Sequence, residues 1–124
     1  MPRLALIAVL AIAAALSCAS AVSAAEDPAA HAARSCGVGN TRGYGPTYLL
    51  KLSVSGTSCR NGKSLVRAYY DCRKRHGGRK GHCSGALGYR CSEHRFDTIP
   101  SQFSARVKCS KGGRRINHTY EQFT

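Results

Sequence analysis

The stretch Gln102-Phe103-Ser104-Ala105-Arg106-Val107-Lys108-Cys109 alternates without a break. Phe103, Ala105, Val107 and Cys109 take one side, and Gln102, Ser104, Arg106 and Lys108 take the other. That is the period of a half-buried strand. Lys111-Gly112-Gly113-Arg114 follows as a hairpin turn signal, because glycine supplies the positive φ that tight two-residue turns require. Beyond it Ile116, His118 and Tyr120 alternate with Arg115, Asn117 and Thr119. A hairpin of this pattern is apolar on one face and basic on the other, which predicts an antiparallel sheet covered on one side.

The rest of the chain supplies the cover. Residues 47–55 alternate as well, with Leu50, Leu52 and Val54 on one side and Lys51, Ser53 and Ser55 on the other. Gly56 breaks that strand, and Thr57 or Ser58 is placed to cap a helix. From Cys59 to about His76 the period becomes helical: Leu65, Tyr69 and Cys72 cluster on one side with Val66 flanking, and Arg60, Lys63, Arg67 and Lys74 gather opposite. Gly77-Gly78 ends the helix. A basic, glycine-rich loop over 79–85 leads to a further strand in which Leu87, Tyr89 and Cys91 alternate, and Pro100 sits in the connection to Phe103. The order β-α-β-β-β predicts an α+β fold, one amphipathic helix packed on a four-stranded antiparallel sheet.

Residues 1–24 have the three parts of an export signal. Arg3 is the positive start, 4–16 is an apolar run shorter than the about 20 residues of a membrane span, and Val22 and Ala24 suit a signal-peptidase site. Cleavage after Ala24 or Ala25 and secretion are expected. An uncleaved anchor is the rival, and no polar or basic stop follows the run to favour it. A second rival makes Cys18 the lipidated residue of a lipoprotein, although Ala15 stands where leucine is usual. Residues 25–45 read as a flexible arm tethered by Cys36, and 46–124 as one small, monomeric domain. A core of that size commonly needs covalent support.

The cysteines supply it. Of seven, Cys18 falls in the leader, leaving Cys36, Cys59, Cys72, Cys83, Cys91 and Cys109. An even set in a small exported chain reads as disulfides. Spacing alone cannot choose among the many pairings. The element order narrows them to Cys59–Cys91, Cys36–Cys109 and Cys72–Cys83, on the reading that the second strand ends at Cys91 near the helix N-terminus.

Catalytic and metal chemistry have little footing in the sequence. There is no C-x-x-C, and His82-Cys83 and Cys91-Ser92-Glu93-His94 suggest zinc by adjacency only. No metal and no cofactor is expected. Paired cysteines are not nucleophiles, and G-x-S-x-G is absent. An acid–base site built from Glu93, His94 and His118, with basic neighbours to hold a phosphate, is the remaining enzymatic option and would make a small ribonuclease-like hydrolase. An inhibitor or protein-binding module presenting residues 73–82 is a third class.

Charge says more. Lys and Arg number 19 against 6 Asp and Glu, a formal net charge of +13. Arg60, Lys63, Arg67 and Lys74 line the helix, and Arg73, Lys74, Arg75, Arg79 and Lys80 crowd its end and the loop. Lys51, Arg90, Arg106, Lys108 and Arg115 are expected on the open sheet face. A solubilising surface mixes its signs; a one-signed field attracts anionic polymers, anionic lipid headgroups and, non-specifically, nucleic acid. The expected function is charge-driven binding of anionic cell-envelope polymers or lipids by an exported bacterial domain.

Gly56-Thr57-Ser58-Cys59, Val66-Arg67-Ala68-Tyr69-Tyr70, Leu87-Gly88-Tyr89-Arg90-Cys91, Ile99-Pro100-Ser101-Gln102-Phe103 through Cys109, and the closing His118-Thr119-Tyr120-Glu121-Gln122-Phe123-Thr124 together resemble a group of small secreted proteins of actinobacteria. The resemblance covers most of 45–124. It implies an exported bacterial protein, with Cys72–Cys83 added to a four-cysteine core, and it assigns no activity or site residue.

Overall fold

The computed structural model describes residues 32–39 and 47–124. The expected leader with Cys18, the expected cleavage point and most of the expected arm lie outside them. Among the described residues the order is β1 (Arg34–Ser35), β2 (Thr47–Ser55), α1 (Cys59–Arg75), a 3-10 turn (Gly78–Lys80), β3 (Gly85–Ala86), β4 (Tyr89–Ile99), β5 (Gln102–Lys111) and β6 (Arg114–Phe123). The strands form one antiparallel sheet in the order β1-β2-β6-β5-β4-β3. The sheet therefore has six strands rather than the expected four. The additions are two-residue edge strands, too short to show a period in sequence.

α1 lies across one face. Ser58 caps it, its Oγ accepting from the Asn61 N–H at 3.2 Å. Gly62, Leu65, Val66, Tyr69 and Arg73 form its buried stripe. They pack on Leu49, Leu52, Val54, Phe103, Ala105, Val107, Ile116 and Tyr120 from the sheet. Burying each large apolar side chain contributes about 1.5–3 kcal/mol. The helix sits close: a Cβ at Gly62 would stand 2.8 Å from Val54 Cγ1.

The central hairpin pairs as its alternation dictates, from Gln102↔Phe123 to Lys111↔Arg114 around the Gly112-Gly113 turn. β2 departs from simple alternation. A bulge between Leu49 and Lys51 turns Leu49 inward and leaves Leu50 44% exposed, so Leu50 is not a core residue. Leu87 is likewise not in a strand. It has φ 51°, Gly88 has φ 77°, and together they make the tight turn between β3 and β4.

Two of the expected disulfides are wrong. The bonds are Cys36–Cys59, Cys72–Cys83 and Cys91–Cys109; only Cys72–Cys83 was anticipated. Cys59–Cys91 failed because β4 begins near Cys91 instead of ending there, running on to Ile99. Cys91 thus sits directly opposite Cys109 near the open end of the β4–β5 hairpin. Cys36–Cys109 failed because β1 pairs with Ser53 and Val54, which brings Cys36 to the end of β2 where α1 begins. Three disulfides are the mark of an oxidising, extracytoplasmic compartment. No helix among the described residues is long and apolar enough to cross a membrane.

Candidate functional site

The sheet face away from α1 carries an ordered array of cations. Strand register aligns its outward residues in rows. Arg90, Ser110, Arg115 and Ser55 make the first row, Ser92, Lys108, Asn117 and Ser53 the second, and His94, Arg106, Thr119 and Lys51 the third. Same-face neighbours stand about 4.8 Å apart across strands and about 6.8 Å apart along one. Arg90, Lys108, Arg115, Arg106 and Lys51 are all exposed. Glu121 lies in the row beyond, with Phe96, Ser104 and Tyr48.

The first two rows frame a shallow depression of about 570 Å³, lined by Arg90, Ser92, Lys108, Ser110, Arg115 and Asn117 above the Cys91 and Cys109 positions. Arg90, Arg115 and Lys108 occupy the corners of a triangle with sides of roughly 8–10 Å at the backbone, from strand spacing alone. Charges that far apart in water repel by about 0.5 kcal/mol per pair. An anion set among them reverses the sign, and Ser92, Ser110 and Asn117 offer hydroxyl and amide donors to its oxygens.

On the other side of the molecule Arg60, Lys63, Arg67, Lys74 and Arg75 are exposed along α1, and Arg79 and Lys80 on the 3-10 turn. Cys72–Cys83 pins this segment to the helix end, and Gly81 fits because its missing Cβ would lie 2.0 Å from the Arg73 carbonyl oxygen. Arg73 itself is a correction to the expected surface: it is 1% exposed. Its Nη2 donates to Gln122 Oε1 at 3.3 Å and its Nη1 to the Arg79 carbonyl at 3.4 Å. Its guanidinium lies 4.1 Å from the centre of the Tyr120 ring, a cation–π contact strengthened by the dry setting. Gln122 Oε1 also accepts from the Thr47 hydroxyl. Arg73 stands one helical turn beyond Tyr69, on the buried stripe, and that spacing is the signal that could have found it.

Beneath α1 a second polar group closes on Glu93. Its Oε2 accepts from the Tyr69 hydroxyl at 2.8 Å and the Tyr120 hydroxyl at 2.7 Å, and its Oε1 from Arg95 Nε at 2.6 Å. His82, 72% exposed, approaches Oε1 at 3.6 Å. Burial pushes the Glu93 carboxyl up, but the hydrogen bonds from Tyr120, Tyr69 and Arg95 outweigh it and hold the carboxyl below its ordinary value. Burial, with hydrogen bonding to Glu93, raises both tyrosines. Arg95 also donates to the carbonyls of Lys80 and Gly81, tying the basic turn to the sheet.

These contacts dissolve the expected acid–base trio. Glu93 and His118 lie on the helix-covered face, whereas His94 lies on the open one. His118 is 3% exposed. Burial first, then the Arg73 charge, lowers its pKa to about 4, with Glu93 pulling partly the other way. It is a neutral core residue, its ring edge-on to Tyr69 and stacked with Tyr120. The six cysteines of the described residues are all in disulfides, so none serves as a thiolate ligand or nucleophile.

No family model, no curated protein and no solved structure matches the chain.

Proposed function

We propose that the protein is an exported cationic domain that holds anionic polymers or lipids of the cell envelope by electrostatic attraction. The observation that carries this reading is the open sheet face. Lys51, Arg90, Arg106, Lys108 and Arg115 stand on it in register, and Glu121 enters only in the row past Arg106. Glu93, between Ser92 and His94 in β4, is on the covered face and engaged by Arg95. Arg60, Lys63, Arg67, Lys74, Arg75, Arg79 and Lys80 extend the positive field around the molecule.

A rigid platform suits such binding, because the cations do not have to be gathered from a flexible chain. The sheet and its disulfides hold their spacing. Retention of the protein on purified cell wall tests the reading. It should fall steeply as salt rises past the range where the Debye length drops below about 8 Å, and it should fall again when the anionic wall polymer is stripped. Retention indifferent to both treatments would rule charge out.

A further inference from the structure

The cations are not spread evenly. The depression on the sheet gathers Arg90, Lys108 and Arg115 around Ser110, with Ser92 and Asn117 beside them. Along β5 the next outward residue after Lys108 is Arg106, flanked by His94 and Thr119. Resting on the charge-binding reading above, we infer that this face is a site for a linear phosphodiester-linked polyol, which lies along β5. One phosphate sits over Ser110 between Arg90 and Arg115, the next is met by Lys108, and the one after by Arg106.

The spacing argues for this ligand. Two phosphorus atoms joined through glycerol are separated by as many backbone bonds as Cα atoms i and i+2 of a strand. Successive phosphates therefore step with the same-face residues of β5, about 6.8 Å apart when extended. The serines and Asn117 between the cations match hydroxyl groups on the spacer as well as phosphate oxygens.

Two other polyanions fit less well. Single-stranded nucleic acid is held by stacking bases on aromatic side chains. The depression has none. Phe96 and Tyr48 stand in the row with Glu121, Phe96 already beneath Arg106 at 4.9 Å and Tyr48 edge-on to Phe123 at 5.3 Å. A lipid surface is gripped by apolar side chains placed beside the cations. Of the exposed apolar residues, one, Leu50 at the β2 bulge, adjoins a cation of the face, Lys51; the others are at opposite ends of the sheet, Leu87 in the turn before β4, and Ile99 and Phe123 flanking Gln102 at the far end.

The test compares equal losses of charge on the intact, oxidised domain. Arg90→Gln/Lys108→Gln/Arg115→Gln is set against Arg60→Gln/Lys63→Gln/Lys74→Gln, with Lys108→Gln alone as a gentler variant should the first triple fail to fold. Affinity is measured for poly(glycerol phosphate), phosphatidylglycerol vesicles and poly(U) at two salt levels. The sheet triple should lose about tenfold or more for poly(glycerol phosphate), with the salt slope shallower by about two, while the helix triple loses less than about threefold. Lys108→Gln alone should show a smaller loss in the same direction. Equal losses in the two triples would overturn the localised site and leave the general charge reading standing. A sheet triple that keeps poly(glycerol phosphate) but loses vesicles or poly(U) would overturn the ligand class. Absence of salt-sensitive binding by the wild type to all three would remove the charge reading as well.

Discussion

Acid should unfold this protein through one residue in particular. His118 is buried neutral beside the Arg73 charge, with a pKa lowered to about 4 from an ordinary 6.5. The unfolded chain therefore takes up the proton first as pH falls. Stability is undiminished by this group above about pH 6.5 and is lost progressively down to about pH 4, below which both states carry the proton. With those two values the native state should be about 2 kcal/mol less stable near pH 5 than near pH 8 through His118 alone. Glu93, held below its ordinary 4.5, adds its own loss only at lower pH, as its carboxylate gives up the Tyr120, Tyr69 and Arg95 hydrogen bonds. His118→Phe keeps a ring between Tyr69 and Tyr120 and cannot be protonated. Urea unfolding with the disulfides intact, run near pH 8 and near pH 5, should show wild type losing about 2 kcal/mol more than His118→Phe over that interval. If the two proteins lose the same stability, His118 is not buried as a neutral group and the reasoning fails.

Other consequences are checked more briefly. Tyr120→Phe removes one donor to Glu93, so the domain should lose about 1–3 kcal/mol and the Glu93 carboxyl should titrate at higher pH by NMR. Gly81→Ala puts a Cβ against the Arg73 carbonyl and should lower the melting temperature by more than a surface Gly→Ala change; an unchanged Tm would show that the turn is not packed on the helix end. Cys72→Ser/Cys83→Ser opens a short loop and should cost about 3 kcal/mol, while binding by the sheet face persists; loss of binding under conditions where the variant is still folded by circular dichroism would place the ligand on the stapled segment instead.

How far the sequence carried can be traced to side-chain pattern. β5 and β6 were legible because they obey strict alternation, and α1 because Leu65, Val66 and Tyr69 recur at helical spacing. The basic open face followed directly from those assignments. β4 was not legible past Cys91. Glu93 and Arg95 face inward there, where Tyr69, Tyr120 and carbonyl oxygens satisfy them, while Phe96 faces outward. Hydrophobic alternation has no means of reading a strand whose charges are buried in a hydrogen-bonded cluster. That error set the wrong direction for Cys91 and gave the wrong Cys59–Cys91 bond; Cys36 was misplaced separately, because the two-residue β1 that carries it to the helix start is too short to show a period. Arg73 was misread for the same reason as β4: a charge on the core stripe of a helix looks like surface until its partners, Gln122 and the Tyr120 face, are known.

The reading of the molecule as a polyanion-binding domain stands on the cations of its sheet face, and salt is the lever that acts on charge rather than on shape or apolar contact. The decisive measurement is the affinity of the wild-type domain for poly(glycerol phosphate) across a salt series. The account predicts a linear fall of log K with log salt, with a slope magnitude of about two or more, reflecting the several cations that meet phosphate. A flat dependence, or no binding at low salt, would contradict it.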